Sequence, residues 1–268
     1  MLMRLRTNFS TTLVFLIAFV GSMAALTTLA GSPGPATASA ADSRGAAAIE
    51  KAAKVNKYLF IFFWKDDTQR VHPARNAFQS AMAKMSDIAE SIEIQTTDPA
   101  EQPIVTRYGV SRAPMPFVLA IAPNGAMTKG FPTLFDETQL RQAFVSPCTA
   151  ECMKALQDRK LVLLCVEPSA PKIKQVSLQK GVQDFTEDEE YTKSSKVVVI
   201  NAGDSVEAAF LKDLRVDPKT AERVTVLMAP PAAVVGTFVG DVTKDQLTAK
   251  LKSAQSGCCP GGSCCPKK

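Results

Sequence analysis

The second half of the chain repeats the order of elements predicted for the first half, at a nearly constant spacing. Residues of the same type recur 107 positions apart, and the matching pairs are Ala122-Pro123 with Ala229-Pro230, Phe131 with Phe238, and Gln139-Leu140 with Gln246-Leu247. A shared order at one spacing indicates two copies of a single domain. We expect the first copy at residues 41–146 and the second at residues 147–255.

Each copy is predicted to be an α/β domain with the order β-α-β-α-β-β-α. The first copy opens with an apolar run typical of a strand buried on both faces, Tyr58 to Trp64. A helix (about 73–89), a strand (92–95), a short helix (about 104–108), a hairpin turning at Asn124-Gly125 and a helix (136–145) follow. For the second copy we predict strands at 161–166 and 196–200, a helix at 205–214, hairpin strands at 223–230 and 233–240, and a helix at 243–252.

The stretch before the first hairpin reads Tyr108-Gly109-Val110-Ser111-Arg112-Ala113-Pro114-Met115-Pro116-Phe117. With the element order, it resembles the thioredoxin superfamily, well over residues 57–145 and more weakly over 147–253. The resemblance implies that the Met115-Pro116 bond is cis, an uncommon state that usually marks a functional turn. It also implies a groove for an extended peptide at Trp64, Met115 and Pro116.

The chain departs from that family where the family carries its redox cysteines. After Phe63-Trp64 it reads Lys65-Asp66-Asp67-Thr68-Gln69-Arg70-Val71, and the second copy reads Glu167-Pro168-Ser169-Ala170-Pro171-Lys172 with Arg223 in place of Pro116. Thiol–disulfide exchange needs an attacking thiolate. We therefore expect a non-catalytic binding or scaffold protein, with a trans bond before Arg223 because a cis bond to a non-proline residue is costly.

Two cysteines lie at the predicted start of a helix, where Ser146 suits the N-cap and Pro147 the first helical position. Cys148 and Cys152 are then on one face, and the helix dipole favours a Cys148 thiolate. A disulfide, a shared metal or redox site, and packed free thiols are all compatible with this spacing. The alternative function is an atypical thiol-disulfide oxidoreductase that uses these two cysteines and the tail. Cys165, inside an apolar strand, is expected to be a small core residue.

The C-terminal segment 256–268 holds four of the seven cysteines in two Cys-Cys-Pro units, at Cys258, Cys259, Cys264 and Cys265. A segment this short cannot bury a core. Thiolates in this density suit a soft ion such as Cu(I) or Zn(II). The other interpretations are disulfides or a reversible dithiol carrier, and an oxidised end without further function.

The N-terminal forty residues are typical of a secretory signal, because Arg4 and Arg6 precede an apolar stretch and small residues end at Ala40. The alternative is an uncleaved membrane anchor. Export would allow disulfides and an exported protein or peptide as partner. The net charge of +5 and the lack of a basic run with aromatics exclude a nucleic-acid surface. The single histidine, His72, excludes multi-histidine metal sites.

Overall fold

A computed structural model describes residues 43–69, 71–169 and 178–255. The predicted signal peptide and the cysteine-rich tail lie outside these residues. No helix within the described ranges has the length and apolar character needed to cross a bilayer.

The first half of the described chain contains four helices and four strands, with two short 3-10 turns beside α3. In chain order they are α1 (Arg44–Lys54), β1 (Tyr58–Trp64), α2 (Val71–Ala83), β2 (Ala89–Gln95), α3 (Gln102–Arg107), β3 (Phe117–Ile121), β4 (Met127–Pro132) and α4 (Glu137–Arg141).

The second half repeats this order. Its elements are α5 (Pro147–Gln157), β5 (Leu161–Glu167), α6 (Lys180–Glu187), β6 (Ser195–Asn201), α7 (Ala208–Asp213), β7 (Val224–Ala229), β8 (Ala233–Val239) and α8 (Lys244–Gln255).

Each half forms a four-stranded mixed sheet, in the orders β2-β1-β3-β4 and β6-β5-β7-β8. The first strand of each half is central; it pairs in parallel with the second strand and antiparallel with the third. Helices flank both sheets. The predicted α/β class is confirmed, and the mixed sheet with flanking helices in each half is the arrangement expected of a thioredoxin-like domain.

The central strands are buried on both faces, as their apolar runs predict. Along β1, Phe60 and Phe62 face one core with Phe78 of α2, whereas Leu59, Ile61 and Phe63 face a second core on the other side. Successive side chains of a strand alternate between faces, so a continuous apolar run serves both cores. Each fully buried side chain of this size contributes about 1.5–3 kcal/mol.

Several predicted bounds differ from the structure. Helices α1 and α6 were not predicted, α2 ends at Ala83, and β2 begins at Ala89. Among the described residues the cis bonds are Met115-Pro116, which confirms the prediction, and Pro230-Pro231, which was not foreseen. The bond between Glu222 and Arg223 is trans, as expected.

Candidate functional site

The turn between β1 and α2 carries no thiol at the positions where the resemblance places the redox cysteines. Thr68 is exposed, and Val71 is only 4% exposed because it packs into the core beside Phe78. The backbone N–H of Val71 donates to the Thr68 carbonyl over 2.9 Å. A buried valine and a threonine hydroxyl cannot exchange disulfides.

Trp64, predicted to line the groove, is partly buried and covered on one ring face by Arg75. The guanidinium carbon of Arg75 lies 5.0 Å from the Trp64 ring. Arg75 is held by Asp67 over 3.1 Å and by Glu93 over 2.9 Å. His72 completes the cluster, with its Nε2 atom 3.6 Å from Asp67. These ion pairs hold the Arg75 guanidinium against the indole ring.

The cis proline lies beside an exposed leucine that the sequence did not single out. Phe63 pairs with Phe117, which brings Trp64 and Pro116 to adjacent positions at the same end of the sheet. The Pro116 carbonyl accepts a 2.8 Å hydrogen bond from the N–H of Thr133. Thr133 has a φ of 58°, an uncommon conformation for a β-branched residue.

Leu134 follows Thr133 and is 80% exposed, whereas Met115 is partly buried and Pro116 is buried. Leu134 is thus a large apolar side chain held in water, whereas Met115 packs against the second core. We call Trp64, Met115, Pro116 and Leu134 the Pro116 face. In the sequence, the feature that could have pointed to Leu134 is its position just after β4, next to Thr133.

In the second domain an ion pair occupies the corresponding place. Val166 pairs with Val224, so Glu167 stands at the position of Trp64 and Arg223 at that of Pro116. The Nε atom of Arg223 lies 2.9 Å from a carboxylate oxygen of Glu167, which is only 7% exposed. A buried carboxylate satisfied by its own domain leaves no apolar face here.

The structure places Cys148 in the first turn of α5, but the predicted thiolate is wrong. The Glu207 carboxylate accepts hydrogen bonds from the Ser146 hydroxyl and, over 3.2 Å, from the Cys148 N–H. Burial, and next the Glu207 charge and hydrogen bond, raise the pKa of Cys148 to about 12. Burial, together with the carboxylate at the helix start, therefore outweighs the helix dipole, and the thiol stays protonated at neutral pH.

The other two described cysteines are also free, buried thiols. Burial and the neighbouring Cys148 raise the pKa of Cys152 to about 12, and burial raises that of Cys165, inside β5, to about 11. Within the described ranges no three His, Cys, Asp or Glu side chains form a metal-binding group. Cys258, Cys259, Cys264 and Cys265 lie outside those ranges.

The carboxylate at a helix start is a repeated device that the sequence analysis missed. In the first domain Glu101, 0% exposed, accepts hydrogen bonds from the Ser43 hydroxyl at 2.7 Å and from the N–H groups of Arg44 and Gly45 at 2.9 and 3.1 Å. Ser43 and Gly45 correspond to Ser146 and Cys148, 103 positions later. This spacing of 103 positions was the sequence signal that could have revealed the shared helix start.

No protein-family model and no curated protein sequence matches the chain. Solved structures similar to it include the thioredoxin Deadhead from Drosophila melanogaster, with 17% identity and a TM-score of 0.30. The match covers 37% of this chain and 90% of Deadhead. For thioredoxin O2 from Arabidopsis thaliana the identity is 13% and the TM-score 0.31, and the match covers 37% of this chain and 84% of that structure. For a disulphide isomerase from Xylella fastidiosa the identity is 14% and the TM-score 0.30, and the match covers 38% of this chain and 79% of that structure. The assignment of a thioredoxin-like fold rests on the strand order and flanking helices of this chain itself.

Proposed function

We propose that the chain is an exported, non-catalytic thioredoxin-like protein that binds an extended peptide at the Pro116 face of its first domain. The observation that carries the proposal is the 80%-exposed Leu134, which follows the Thr133–Pro116 hydrogen bond at the end of the sheet where Trp64 and Pro116 lie. Apolar side chains kept in water cost free energy unless a partner covers them.

The Pro116 face has the features that recognition of an extended segment requires. Trp64 and Met115 supply apolar contact area on either side of the proline, and the Arg75 ion pairs hold the guanidinium against the tryptophan ring. Rigid aromatic and apolar anchors lower the entropy cost of binding. Asp66 is exposed beyond the face, which favours a peptide with a basic residue next to its apolar anchor.

The second part of the proposal is that the tail cysteines bind a soft metal ion, Cu(I) or Zn(II). Its support is the ligand type, since four thiols close together provide the coordination such ions prefer. An anaerobic competition titration tests it, because a variant with serine at Cys258, Cys259, Cys264 and Cys265 should lose the binding. Equal metal affinity of the two proteins would reject this part alone.

The peptide site predicts that Leu134→Asp weakens binding of a permanently unfolded probe, such as reduced and carboxymethylated lactalbumin. We expect a dissociation constant at least tenfold higher, corresponding to about 1.4 kcal/mol, because the substitution puts a charge into the apolar contact. Fluorescence anisotropy of the labelled probe measures it.

The matched control is Val206→Asp, which alters a valine that is 62% exposed in the second domain. It should leave the affinity unchanged. Equal weakening by both substitutions would show non-specific attraction to apolar surface, and no binding by the wild type would reject the peptide site.

A further inference from the structure

Edge strand β4 of the first domain's sheet is partly covered by another part of the same chain. The side-chain amide of Gln157, at the end of α5, accepts a hydrogen bond from the Met127 N–H over 2.9 Å and donates to the Met127 carbonyl over 2.7 Å. Ala150 of α5 is buried with Ala122 and Ala126 of the β3–β4 hairpin. The first helix of the second domain thus covers the start of edge strand β4.

The other end of β4 has two further protections. The N–H of Thr133 donates to the carbonyl of Pro116, so the backbone groups of Thr133 point towards β3. Along an antiparallel strand the backbone groups of successive residues point alternately towards and away from the neighbouring strand. Those of Pro132 and Gly130 therefore point away from β3. Pro132 has no N–H to offer at this edge, and Lys129 adds a charge. Proline and lysine are common devices against edge-to-edge pairing.

Strand β8 is the corresponding edge of the second domain, and it has neither device. The N–H of Gly240 bonds to the Arg223 carbonyl over 2.8 Å, so the backbone groups of Val239 and Thr237 point outward. Val239 stands where β4 has Pro132, and Gly236 where it has Lys129. Val239 is 65% exposed.

The start of β8 is open as well. Val234 stands where β4 has Met127, and it is 50% exposed. In the part of the chain that the structure describes, no side chain bonds to its backbone as Gln157 does to that of Met127. No charged residue occurs from Val224 to Gly240. Within the described ranges, the second sheet therefore ends in an uncharged, valine-rich strand whose outward-pointing donors and acceptors have no partner.

We infer that β8 is a docking edge for a second copy of this chain, with the two β8 strands pairing antiparallel about a two-fold axis. Such an interface is self-complementary, because each strand offers the donors and acceptors that the other needs. The β8 strands contain no charged residue of their own, and the Lys250 side chain of α8 lies beside Gly236, whereas two β4 strands would each bring Lys129 into the interface.

A head-to-tail contact that imitates the α5–β4 contact is disfavoured. The helix equivalent to α5 is α1, where Glu50 and Lys54 stand at the positions of Met153 and Gln157. Docking α1 on β8 would set a carboxylate against the small apolar surface of Ala229 and Ala233. Strand pairing between two copies is the arrangement that closes the edge without burying a charge.

Sedimentation velocity on the chain from Ala41 onward tests the inference, with reductant present so that tail disulfides cannot link copies. We expect a reversible dimer in the micromolar range. Val239→Pro, which installs the residue that β4 carries at this position, and Val239→Lys should each raise the dimer dissociation constant more than tenfold. Val206→Lys, at an exposed valine away from the edge, should not.

Hydrogen exchange provides the second readout. The amides of Thr237 and Val239 should exchange slowly in the dimer and quickly after dilution or in the Val239→Lys variant. A monomer at about 100 µM would overturn the inference, as would a dimer that Val239→Lys leaves intact. Concentration-independent protection of these two amides would also overturn it, because another segment of the same chain would then cover the edge.

Discussion

Replacing Gly181 by alanine should destabilise the second domain by about 3 kcal/mol or more. Gly181 lies in the first turn of α6, and a Cβ atom there would be 1.9 Å from the Val242 carbonyl oxygen and 2.7 Å from the Thr243 Cα atom. Both are backbone atoms and cannot rotate away. The helix or the segment before α8 must therefore move.

That movement would also break the contacts that join this segment to α6. The side chain of Gln179 accepts a hydrogen bond from the Val242 N–H over 3.3 Å and donates to the Gly240 carbonyl over 3.1 Å. Val182 and Phe185, both 0% exposed, pack below the same turn. The loss of these contacts adds to the cost of the clash itself.

Thermal and urea unfolding measure the effect of Gly181→Ala, with a fall in Tm of at least about 6 °C. The sign is informative, because alanine in place of glycine inside a helix ordinarily stabilises by roughly 0.5–1 kcal/mol. Lys180→Ala, one residue earlier on the exposed surface, should change stability by less than about 0.5 kcal/mol. Equal or greater stability of Gly181→Ala would contradict the close packing of α6.

Cys148 should react with iodoacetamide at pH 8 on the order of a thousandfold more slowly than the same cysteine in the urea-unfolded chain. Only the thiolate reacts, and in the folded protein burial and the Glu207 carboxylate raise the pKa of Cys148 to about 12. The rate should rise with pH well beyond pH 9. Mass spectrometry of the peptide that contains Cys148 separates its modification from that of the tail.

Glu207→Gln should accelerate the alkylation of Cys148 about tenfold or more, since removing the charge lowers the thiol pKa while burial still holds it above the ordinary value. Glu151→Gln is the matched control, because Glu151 is a lesser cause of the shift and pairs with Lys196 over 2.8 Å. Equal rates in the folded and unfolded chain would refute the arrangement of Glu207 around the helix start.

The sequence was sufficient to predict the elements whose own residues determine them. The apolar runs that became β1 and β5 are continuous because both faces are buried, and Asn124-Gly125 marks a hairpin without reference to the rest of the chain. Met115-Pro116 was identified through its place in a recognisable stretch. The order of the elements followed from local patterns, and the cis Met115-Pro116 bond followed from the resemblance to the thioredoxin superfamily.

Features that depend on distant partners were missed. Helix α6 has few apolar residues and a glycine in its first turn, and it is held by the segment before α8 rather than by helix propensity. The Cys148 prediction failed because the thiol is buried and because Glu207, 59 positions away, caps the same helix. Glu101 likewise acquires its role through hydrogen bonds to residues 56–58 positions away, which no local pattern contains.

The most direct test of the central claim is an insulin-reduction assay on residues 41–256, supplied with a thioredoxin-reducing system and compared with an ordinary thioredoxin. Thr68 and Val71 replace the redox cysteines, Glu167 and Arg223 fill the second site, and Cys148 and Cys152 stay protonated. We predict no turnover above the rate without the protein. Turnover comparable to thioredoxin would contradict a non-catalytic role, and its loss in Cys148→Ser would assign the activity to the helix start of the second domain.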